Sequence, residues 1–363
     1  MRIGIDVRHL RGGAGTGGAR VLSLLLTAFT RHAPHVEWRP FNRFRAPLWH
    51  RHAAGKAVAA VIADVLVKNL VLPVQARRER LDALLYVLPP VSFTVRRTPQ
   101  IVCIHDLPTP DEERSLPATI YNDVFIRQSC RRADRIVTGS QSAETAIRER
   151  YGVARDRITT VPYPIDTDAI AAVAPLDGAP GRDGYFMGIL SRLGWRKHPG
   201  AYLKSYARLP ADLRRRYPLV LAGAVRSLDD LRPYADADLL AAVREDVICM
   251  GRISDDRLMG CLKGATALLF PSRHEGFGLP VLEAVACGVP VVASDIPPFR
   301  ELFSEVAVLL DPDDADGMAA ALASIVNRSE PGLTECQRQA FLERYSLASY
   351  AQRMEQVLKE TVQ

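Results

Sequence analysis

Two glutamates flank a glycine-containing turn in the second half of this 363-residue chain. Glu275 opens the turn, which spans 275–278, and Glu283 follows eight residues later, about one turn into a helix that Pro280 predicts. The apolar run 265–270 is typical of a buried parallel strand. Unbonded N–H groups and the helix dipole make such a helix start an anion site. Because two carboxylates would repel a bare phosphate, the pattern favours a ligand with hydroxyls on both sides of a phosphate, as in a sugar nucleotide.

A cationic loop lies in the same half of the chain. Residues 191–199 include Arg192, Arg196, Lys197 and His198, between a predicted strand at 185–189 and a predicted helix at 200–209. Arginine and lysine side chains at such a place can hold a diphosphate. The alternative interpretation is a solvated basic loop.

Glycines and a histidine could bind a ligand in the first half. The glycines lie between a predicted strand at 2–6 and a predicted helix at 19–29, and they include Gly17 and Gly18. They would let the backbone approach a ligand closely, although a flexible loop is the alternative. His105 follows a predicted strand at 100–104, and ligands of open α/β sheets bind beyond the carboxyl ends of strands. A single histidine there is more often structural than catalytic.

The stretch EGFGLPVLEAVACGVPVVAS, which begins at Glu275, resembles the signature of the retaining family-four glycosyltransferases of GT-B fold. The resemblance implies that Glu275 contacts the donor sugar and that Glu283 binds the nucleotide ribose. It also implies that the backbone of the turn and the helix start faces the sugar and the diphosphate. The residues concerned are Gly276, Phe277, Gly278 and Leu279.

The resemblance covers both halves of the chain. His105 matches the histidine of an HD pair that lies near the donor sugar in relatives, and Gly17 and Gly18 belong to a loop that faces the cleft between domains. Lys197 matches a lysine that binds the donor phosphates. Its partner arginine stays open, because Arg192 fits relatives with a five-residue spacing and Arg196 fits those with adjacent Arg and Lys. Arg252 and Ile253 lie where relatives seat the nucleobase.

Alternating strands and helices in both halves predict parallel sheets. The resemblance implies an α/β protein of GT-B fold, with two Rossmann-like domains whose parallel sheets face a cleft. We expect an N-terminal acceptor-binding domain at 1–164 and a C-terminal nucleotide-sugar-binding domain at 165–345. A terminal helix at 346–363 would cross back to the first domain.

The resemblance implies retaining transfer of a sugar from a nucleotide donor to a hydroxyl acceptor. The segments GIDVRHL, TGGAR and IHDLPTP are most similar to bacterial mannosyltransferases that build surface polysaccharides, which makes GDP-mannose the first expected donor and a UDP-sugar the second. No cofactor is expected. No Asp-x-Asp pair ends a predicted strand, so we expect no metal, with helix dipole, arginine and lysine stabilising the diphosphate instead. The alternatives are a UDP-sugar transferase acting on a soluble acceptor, a sugar-nucleotide epimerase or phosphorylase, and a binding protein without activity.

Charge is unevenly distributed along the chain. Residues 1–165 contain 25 Lys and Arg against 14 Asp and Glu, a net charge of +11, whereas residues 166–363 have a net charge of −5. This asymmetry indicates an anionic partner. No nucleic-acid-binding motif occurs, so an anionic membrane surface or a phosphate-bearing, lipid-linked acceptor is favoured.

Basic and aromatic residues alternate in the segment 38–80, a composition that suits lipid headgroups. The alternative is a helical excursion with a solvated charged face. The basic residues are Arg39, Arg43, Arg45, Arg51, Lys56, Lys68, Arg77, Arg78 and Arg80, and the aromatic residues are Trp38, Phe41, Phe44 and Trp49. With no secretory signal, and with Asp64 and Lys68 interrupting the most apolar window, we expect a cytoplasmic protein that is peripheral on the cytoplasmic face of the membrane.

Overall fold

The computed structural model describes residues 1–8, 17–41, 63–108, 121–176, 178, 180–327 and 333–363. The chain divides into two compact units. The first comprises Met1–Pro164 with Leu347–Gln363, and the second comprises Ile165–Ser346. Each unit is built around one parallel sheet.

Six described strands form the sheet of the first unit, in the order β2-β1-β3-β4-β5-β6. Its central strands are apolar and buried on both faces, as expected when helices cover a parallel sheet. The strands are β1 (Arg2–Asp6), β2 (Glu37–Phe41), β3 (Ala83–Tyr86), β4 (Gln100–Cys103), β5 (Arg135–Thr138) and β6 (Ile158–Thr160). The helices are α1 (Gly17–His32), α2 (Leu72–Arg78), α3 (Arg127–Arg132) and α4 (Gln141–Tyr151), with π-helical turns at Val67–Val71 and Tyr121–Ile126 and a 3-10 turn at Arg155–Arg157.

The second unit repeats this plan, with its described strands in the order β12-β11-β10-β7-β8-β9. The strands are β7 (Phe186–Leu190), β8 (Leu219–Gly223), β9 (Val247–Gly251), β10 (Ala267–Phe270), β11 (Val291–Ser294) and β12 (Val308–Leu310). The helices are α5 (Thr167–Ala172), α6 (Pro199–Ala207), α7 (Ala211–Arg216), α8 (Ala237–Val243), α9 (Asp255–Gly264), α10 (Leu279–Ala286), α11 (Pro297–Phe303), α12 (Ala315–Asn327) and α13 (Glu335–Glu343), with 3-10 turns at Trp195–Lys197 and Leu228–Leu231.

The C-terminal helix α14 (Leu347–Val362) belongs to the first unit, where it packs on α1. Both helices bury one apolar face, which includes Leu25 and Phe29 of α1 and Met354 of α14. Beside this contact, His35 Nε2 lies 2.8 Å from Glu355 Oε1.

Strand order gives each sheet one topological switch point. β1 lies between β2 and β3, and β7 lies between β8 and β10, so the chain leaves the first strand on one side and later returns to the other. Ligands of open α/β sheets bind in the crevice that this reversal creates at the carboxyl ends of the strands. The first switch point is therefore at the ends of β1 and β3, and the second is at the ends of β7 and β10.

The predicted fold class, Rossmann-like domains with parallel sheets, is confirmed within each unit. β1 coincides with the predicted strand 2–6, and β10 lies within the predicted run 265–270. The helix predicted at 200–209 begins one residue earlier, because Pro199 suits the first helical turn. None of the described helices is long and apolar enough to cross a membrane.

Three side chains that the sequence pattern assigns to a lipid-facing surface are instead buried or packed in the core. Phe41 is buried with its ring centroid 5.5 Å from that of Tyr86, and Trp38 packs edge-on against Phe29 at 4.9 Å. Lys68 is 0% exposed because two carboxylates and a backbone carbonyl hold its ammonium group. The prediction of a headgroup contact is wrong for these three side chains. Arg43, Phe44, Arg45, Trp49, Arg51 and Lys56 lie outside the described residues.

Candidate functional site

Three loops meet at the carboxyl edge of the second sheet, and together they contain most of the predicted site residues. The loops follow β7, β9 and β10. The backbone N–H of Arg273 donates to the carbonyl of Arg196 at 2.8 Å, which joins the loops after β10 and β7. Arg252 Nη2 lies 3.4 Å from the carbonyl oxygen of Ser191, which joins the loops after β9 and β7. The chain therefore concentrates cations at the second switch point.

Lys197 and Glu275 form an ion pair at this edge. Lys197 Nζ donates to Glu275 Oε1, and each side chain is 10% exposed. The ammonium group also lies 5.1 Å from the centroid of the Phe270 ring, a cation–π contact. An ammonium group has three N–H donors, and Glu275 is its one hydrogen-bond acceptor among the residues that the structure describes. Lys197 thus retains donors for a ligand.

The start of α10 depends on Gly278. This residue has φ +105°, a value that side-chain-bearing residues rarely adopt, and an added Cβ would lie 2.4 Å from Phe299 Cε1. Gly278 is the residue preceding the helix, and it has no side chain to cap the N–H groups of the first turn. The ring of Phe277 is buried against Phe303 and Tyr345, so only its backbone can face a ligand. The helix start therefore has no side-chain cap, and contact of the backbone from Gly276 to Leu279 with a ligand stays a prediction.

Glu283 lies one turn into α10 and is 2% exposed. A glutamate at this depth cannot sample solvent as a surface side chain does, so its carboxylate has a defined position. Its charge reaches Cys287 at the end of the same helix: burial, with a further contribution from Glu283, raises the pKa of the Cys287 thiol to about 11.

Arg192 and Arg196, the two candidates for the diphosphate arginine, have different environments. Arg192 is exposed just after β7. Arg196 is 5% exposed and shares a 3-10 turn with the buried Lys197. Arg252 is exposed and Ile253 is half-buried, directly after Gly251 at the end of β9.

A second polar cluster beside this turn is absent from the sequence interpretation. Arg273 Nη2 donates to Asp313 Oδ1, and His198 Nε2 lies 3.0 Å from the same oxygen. The guanidinium of Arg273 also lies 5.8 Å from the ring centroid of the exposed Trp195. Although partial burial raises the pKa of Asp313, the hydrogen bonds and charges of Arg273 and His198 lower it below the usual value overall. A cation two residues before Glu275, in the same loop, is the signal that could have found Arg273.

His105 lies at the carboxyl end of β4 in the first unit, with its Nδ1 hydrogen-bonded to the hydroxyl of Tyr163. Burial lowers the pKa of His105, an effect opposed by the charge of Asp106 and by the carbonyl of Val87. Burial also raises the pKa of Tyr163 well above its ordinary value, so its hydroxyl keeps its proton. Tyr163 lies between Pro162 and Pro164 in the crossover that follows β6, and the sequence analysis assigns it no role, so this contact was missed.

Gly17 and Gly18 begin α1. An added Cβ on Gly18 would lie 2.9 Å from Leu88 Cδ1, whereas Gly17 has open space around it. The rest of the predicted glycine loop, 9–16, lies outside the described residues. The structure thus brings Lys197, Glu275 and the start of α10 together in the second unit, and it places Gly17, Gly18 and His105 in the first.

Known families match both parts of the chain. The model of glycosyl transferases group 1 matches residues 179–341, and the model of glycosyltransferase family 4 matches residues 33–169.

Curated relatives and solved structures agree with these matches. A serotype-specific mannosyltransferase WbdA of Escherichia coli is 30% identical over 235 residues, covering 62% of this chain and 29% of that protein. An O-antigen chain mannosyltransferase B of Escherichia coli is 31% identical over 211 residues, covering 55% of this chain and 53% of that protein. The chain thus spans about half or less of the length of these relatives. Sucrose-phosphate synthase from Thermosynechococcus elongatus shares the fold with a TM-score of 0.73 at 16% identity, over 99% of this chain and 98% of that one.

The two family models follow one another along the chain, and each corresponds to a unit with a parallel sheet. This chain therefore belongs to the family-four-like glycosyltransferases of GT-B fold, and it resembles the mannosyltransferases among them.

Proposed function

We propose that this protein transfers a sugar from a nucleotide donor to a hydroxyl group of a glycan or lipid-linked acceptor, with retention of configuration, in the synthesis of a polysaccharide or glycoconjugate. The observation that carries the proposal is the Lys197–Glu275 pair at the second switch point, beside the uncapped start of α10. A cation with spare donors, a carboxylate and a helix N-terminus match the diphosphate and the hydroxyls of a sugar nucleotide.

Different residues bind different parts of the nucleotide donor. Lys197, Arg196 and the N–H groups from Gly276 to Leu279 bind the diphosphate, with Arg196 preferred to the exposed Arg192. Glu275 accepts hydrogen bonds from the sugar, and Glu283 accepts them from the ribose. The base lies along the backbone of Arg252 and Ile253. The family resemblance assigns Gly17, Gly18 and His105 of the first unit to the donor sugar and the acceptor.

Charge stabilisation is the main catalytic contribution that these groups can make. As the bond between the anomeric carbon and the diphosphate oxygen breaks, negative charge develops on the diphosphate beside Lys197 and Arg196. The acceptor oxygen bonds to the anomeric carbon on the same face, and its proton passes to the departing phosphate oxygen. Fixed cations of this kind perform the role that a divalent cation performs elsewhere, so we expect turnover without added metal.

GDP-mannose is the first donor to test, because two curated relatives that match more than half of this chain are named mannosyltransferases. The second candidate is a UDP-sugar used with a soluble acceptor. The test is turnover of a panel of GDP- and UDP-sugars, with glycan and lipid-linked acceptors, in buffer containing EDTA. Transfer of mannose in EDTA supports the proposal. Epimerised donor without transfer, or activity that needs Mg²⁺ or Mn²⁺, contradicts it.

A further inference from the structure

Arg273, in the loop after β10, contacts the neighbours of Lys197 on both sides. Its backbone N–H donates to the carbonyl of Arg196 at 2.8 Å, and its guanidinium lies 5.8 Å from the ring centroid of Trp195. On the other side of Lys197, Arg273 Nη2 lies 3.2 Å from His198 Nε2. No hydrogen bond or ion pair joins Arg273 to Lys197 itself among the residues that the structure describes. Arg273 therefore contacts the turn 195–198 at three points without touching its central lysine.

Asp313, which follows β12, fixes the orientation of Arg273. Arg273 Nη2 donates to Asp313 Oδ1, and His198 Nε2 lies 3.0 Å from the same oxygen. Burial and the charge of Arg273 lower the pKa of His198 although Asp313 opposes them, which favours a neutral ring. The carboxylate then balances the guanidinium, so this cluster is a poor site for a phosphate. It is instead a fixed contact between the loops that follow β7, β10 and β12.

The backbone of His198 adopts a left-handed conformation, with φ +46°. Histidine adopts this conformation more readily than most side chains, yet such a residue persists only where its surroundings enforce it. His198 lies between the 3-10 turn Trp195–Lys197 and Pro199, the first residue of α6. The direction in which the chain leaves Lys197 therefore depends on the contacts of the His198 side chain, which are with Arg273 and Asp313.

We propose that Arg273 is a positioning residue which, together with Asp313, fixes the turn 195–198 so that Lys197 lies beside Glu275 with donors left for the diphosphate. This inference rests on the proposed function, because Arg273 acts through Lys197 and makes no contact with the sugar nucleotide. A cation that is already in place needs no reorganisation while charge develops on the leaving diphosphate, so its placement affects the rate. The alternative is that Arg273 leaves Asp313 and binds the diphosphate directly.

A double-mutant cycle separates these two roles. Arg273→Met should lower kcat about tenfold in the native background, because Lys197 is no longer held in one position. In a Lys197→Met background the same substitution should change kcat by less than about twofold, since the group that it positions is gone. Direct binding of the diphosphate by Arg273 would instead lower kcat equally in both backgrounds, together with the affinity for GDP and UDP. Asp313→Asn should follow Arg273→Met with a smaller effect.

Acetylation of lysine amines, measured by mass spectrometry, tests the placement of Lys197 without turnover. Lys197 is 10% exposed and ion-paired, so it should react slowly in the native protein. Arg273→Met should raise its labelling rate severalfold and leave that of the exposed Lys204 unchanged. The matched control is Arg216→Met, which removes an exposed ion pair with Asp183 in the same unit and should change neither labelling nor kcat.

Two outcomes overturn the proposal: an unchanged labelling rate of Lys197 in Arg273→Met, and a fall in kcat of equal size in both backgrounds. Normal turnover of Lys197→Met would count against the proposed function itself. Slow turnover of Lys197→Met beside normal turnover of Arg273→Met rejects the positioning role alone. Urea unfolding checks that each variant is folded. If Arg273→Met is not, Asp313→Asn takes its place in the cycle, because this side chain is 63% exposed.

Discussion

Each unit buries a lysine at the switch point of its sheet, and the two lysines differ in how many protein oxygens surround the ammonium group. Lys68 reaches the first switch point, with its ammonium group 5.3 Å from the ring centroid of Tyr86 on β3. Lys197 lies at the second switch point, at a similar distance from Phe270 on β10. Each is paired with a carboxylate, and each sits over an aromatic ring from the strand beside the switch point.

The ammonium group of Lys68 donates to one carbonyl oxygen and forms ion pairs with two carboxylates. Its Nζ lies 2.9 Å from Asp6, 3.3 Å from Asp64 and 2.8 Å from the carbonyl of Pro90. Arg8 adds a second cation, paired with Asp64. Within the described part of the chain, the one oxygen partner of Lys197 Nζ is Glu275 Oε1. A lysine surrounded by oxygens from three segments joins elements of the fold, whereas a lysine with one protein partner retains donors for a ligand. We therefore expect different defects when the two lysines are replaced.

The largest expected effect is on stability, from Lys68→Met. Removing Lys68 leaves two buried carboxylates, Asp6 and Asp64, with Arg8 as their one remaining cation among the described residues, and removing one partner of a buried ion pair typically costs about 3–5 kcal/mol. Urea unfolding measures this loss. Lys359→Met is the control, because Lys359 is 59% exposed beside Glu355 and such surface pairs contribute about 1 kcal/mol or less. Equal losses from both substitutions would show that the Lys68 cluster does not hold the first unit together.

Lys197→Met should instead reduce turnover, by about a hundredfold, because the departing diphosphate loses a fixed cation. That factor corresponds to about 2.7 kcal/mol in the activation free energy. The urea midpoint should fall clearly less than for Lys68→Met, since a single carboxylate is left without its partner. Lys204→Met, an exposed lysine of α6, serves as the control with unchanged turnover. A Lys197 variant that turns over normally but unfolds easily would make this lysine structural, like Lys68.

Glu275 and Glu283, both at the second switch point, should also differ in the effect of their replacement. Glu283→Ala should weaken nucleoside diphosphate binding, because its carboxylate is proposed to hold the ribose, whereas Glu275→Ala should mainly lower turnover. A charge-assisted hydrogen bond contributes roughly 1.5–3 kcal/mol, so each loss should be at least about tenfold. Titration calorimetry with GDP and UDP, alongside initial rates, separates the two effects. Unchanged affinity in both variants would reject the ribose assignment.

The sequence predicts a switch point well when its residues lie close together along the chain, and poorly when they come from distant segments. The second site is carried by one continuous strand, turn and helix, so Glu275, Gly278 and Glu283 could be placed from local pattern. The Lys68 cluster joins Asp6, Asp64 and Pro90, which come from three separate segments, and no spacing rule relates them. Burial of Lys68 in this cluster also explains why the sequence pattern wrongly assigns this residue to a lipid-facing surface.

His105 combines features of both lysines. Its Nδ1 is held by Tyr163, as Lys68 is held by its partners, while its Nε2 has no hydrogen bond of normal geometry within the described ranges. Burial lowers the pKa of His105, which favours the neutral imidazole. We expect the protonated hydroxyl of Tyr163 to donate to Nδ1, which would place the imidazole proton on Nε2.

Tyr163→Phe should therefore give the smallest effect, a severalfold fall in kcat with unchanged nucleoside diphosphate affinity. The hydroxyl stabilises the neutral ring, because only a neutral imidazole has a nitrogen that accepts a hydrogen bond. Its loss raises the pKa of His105, so the acidic limb of the kcat/KM profile should move to higher pH. The matched comparison is Tyr163→Phe in a His105→Ala background, where the added substitution should change nothing. If the fall in kcat is as large there as in the native background, Tyr163 acts through packing in the crossover and not through the imidazole.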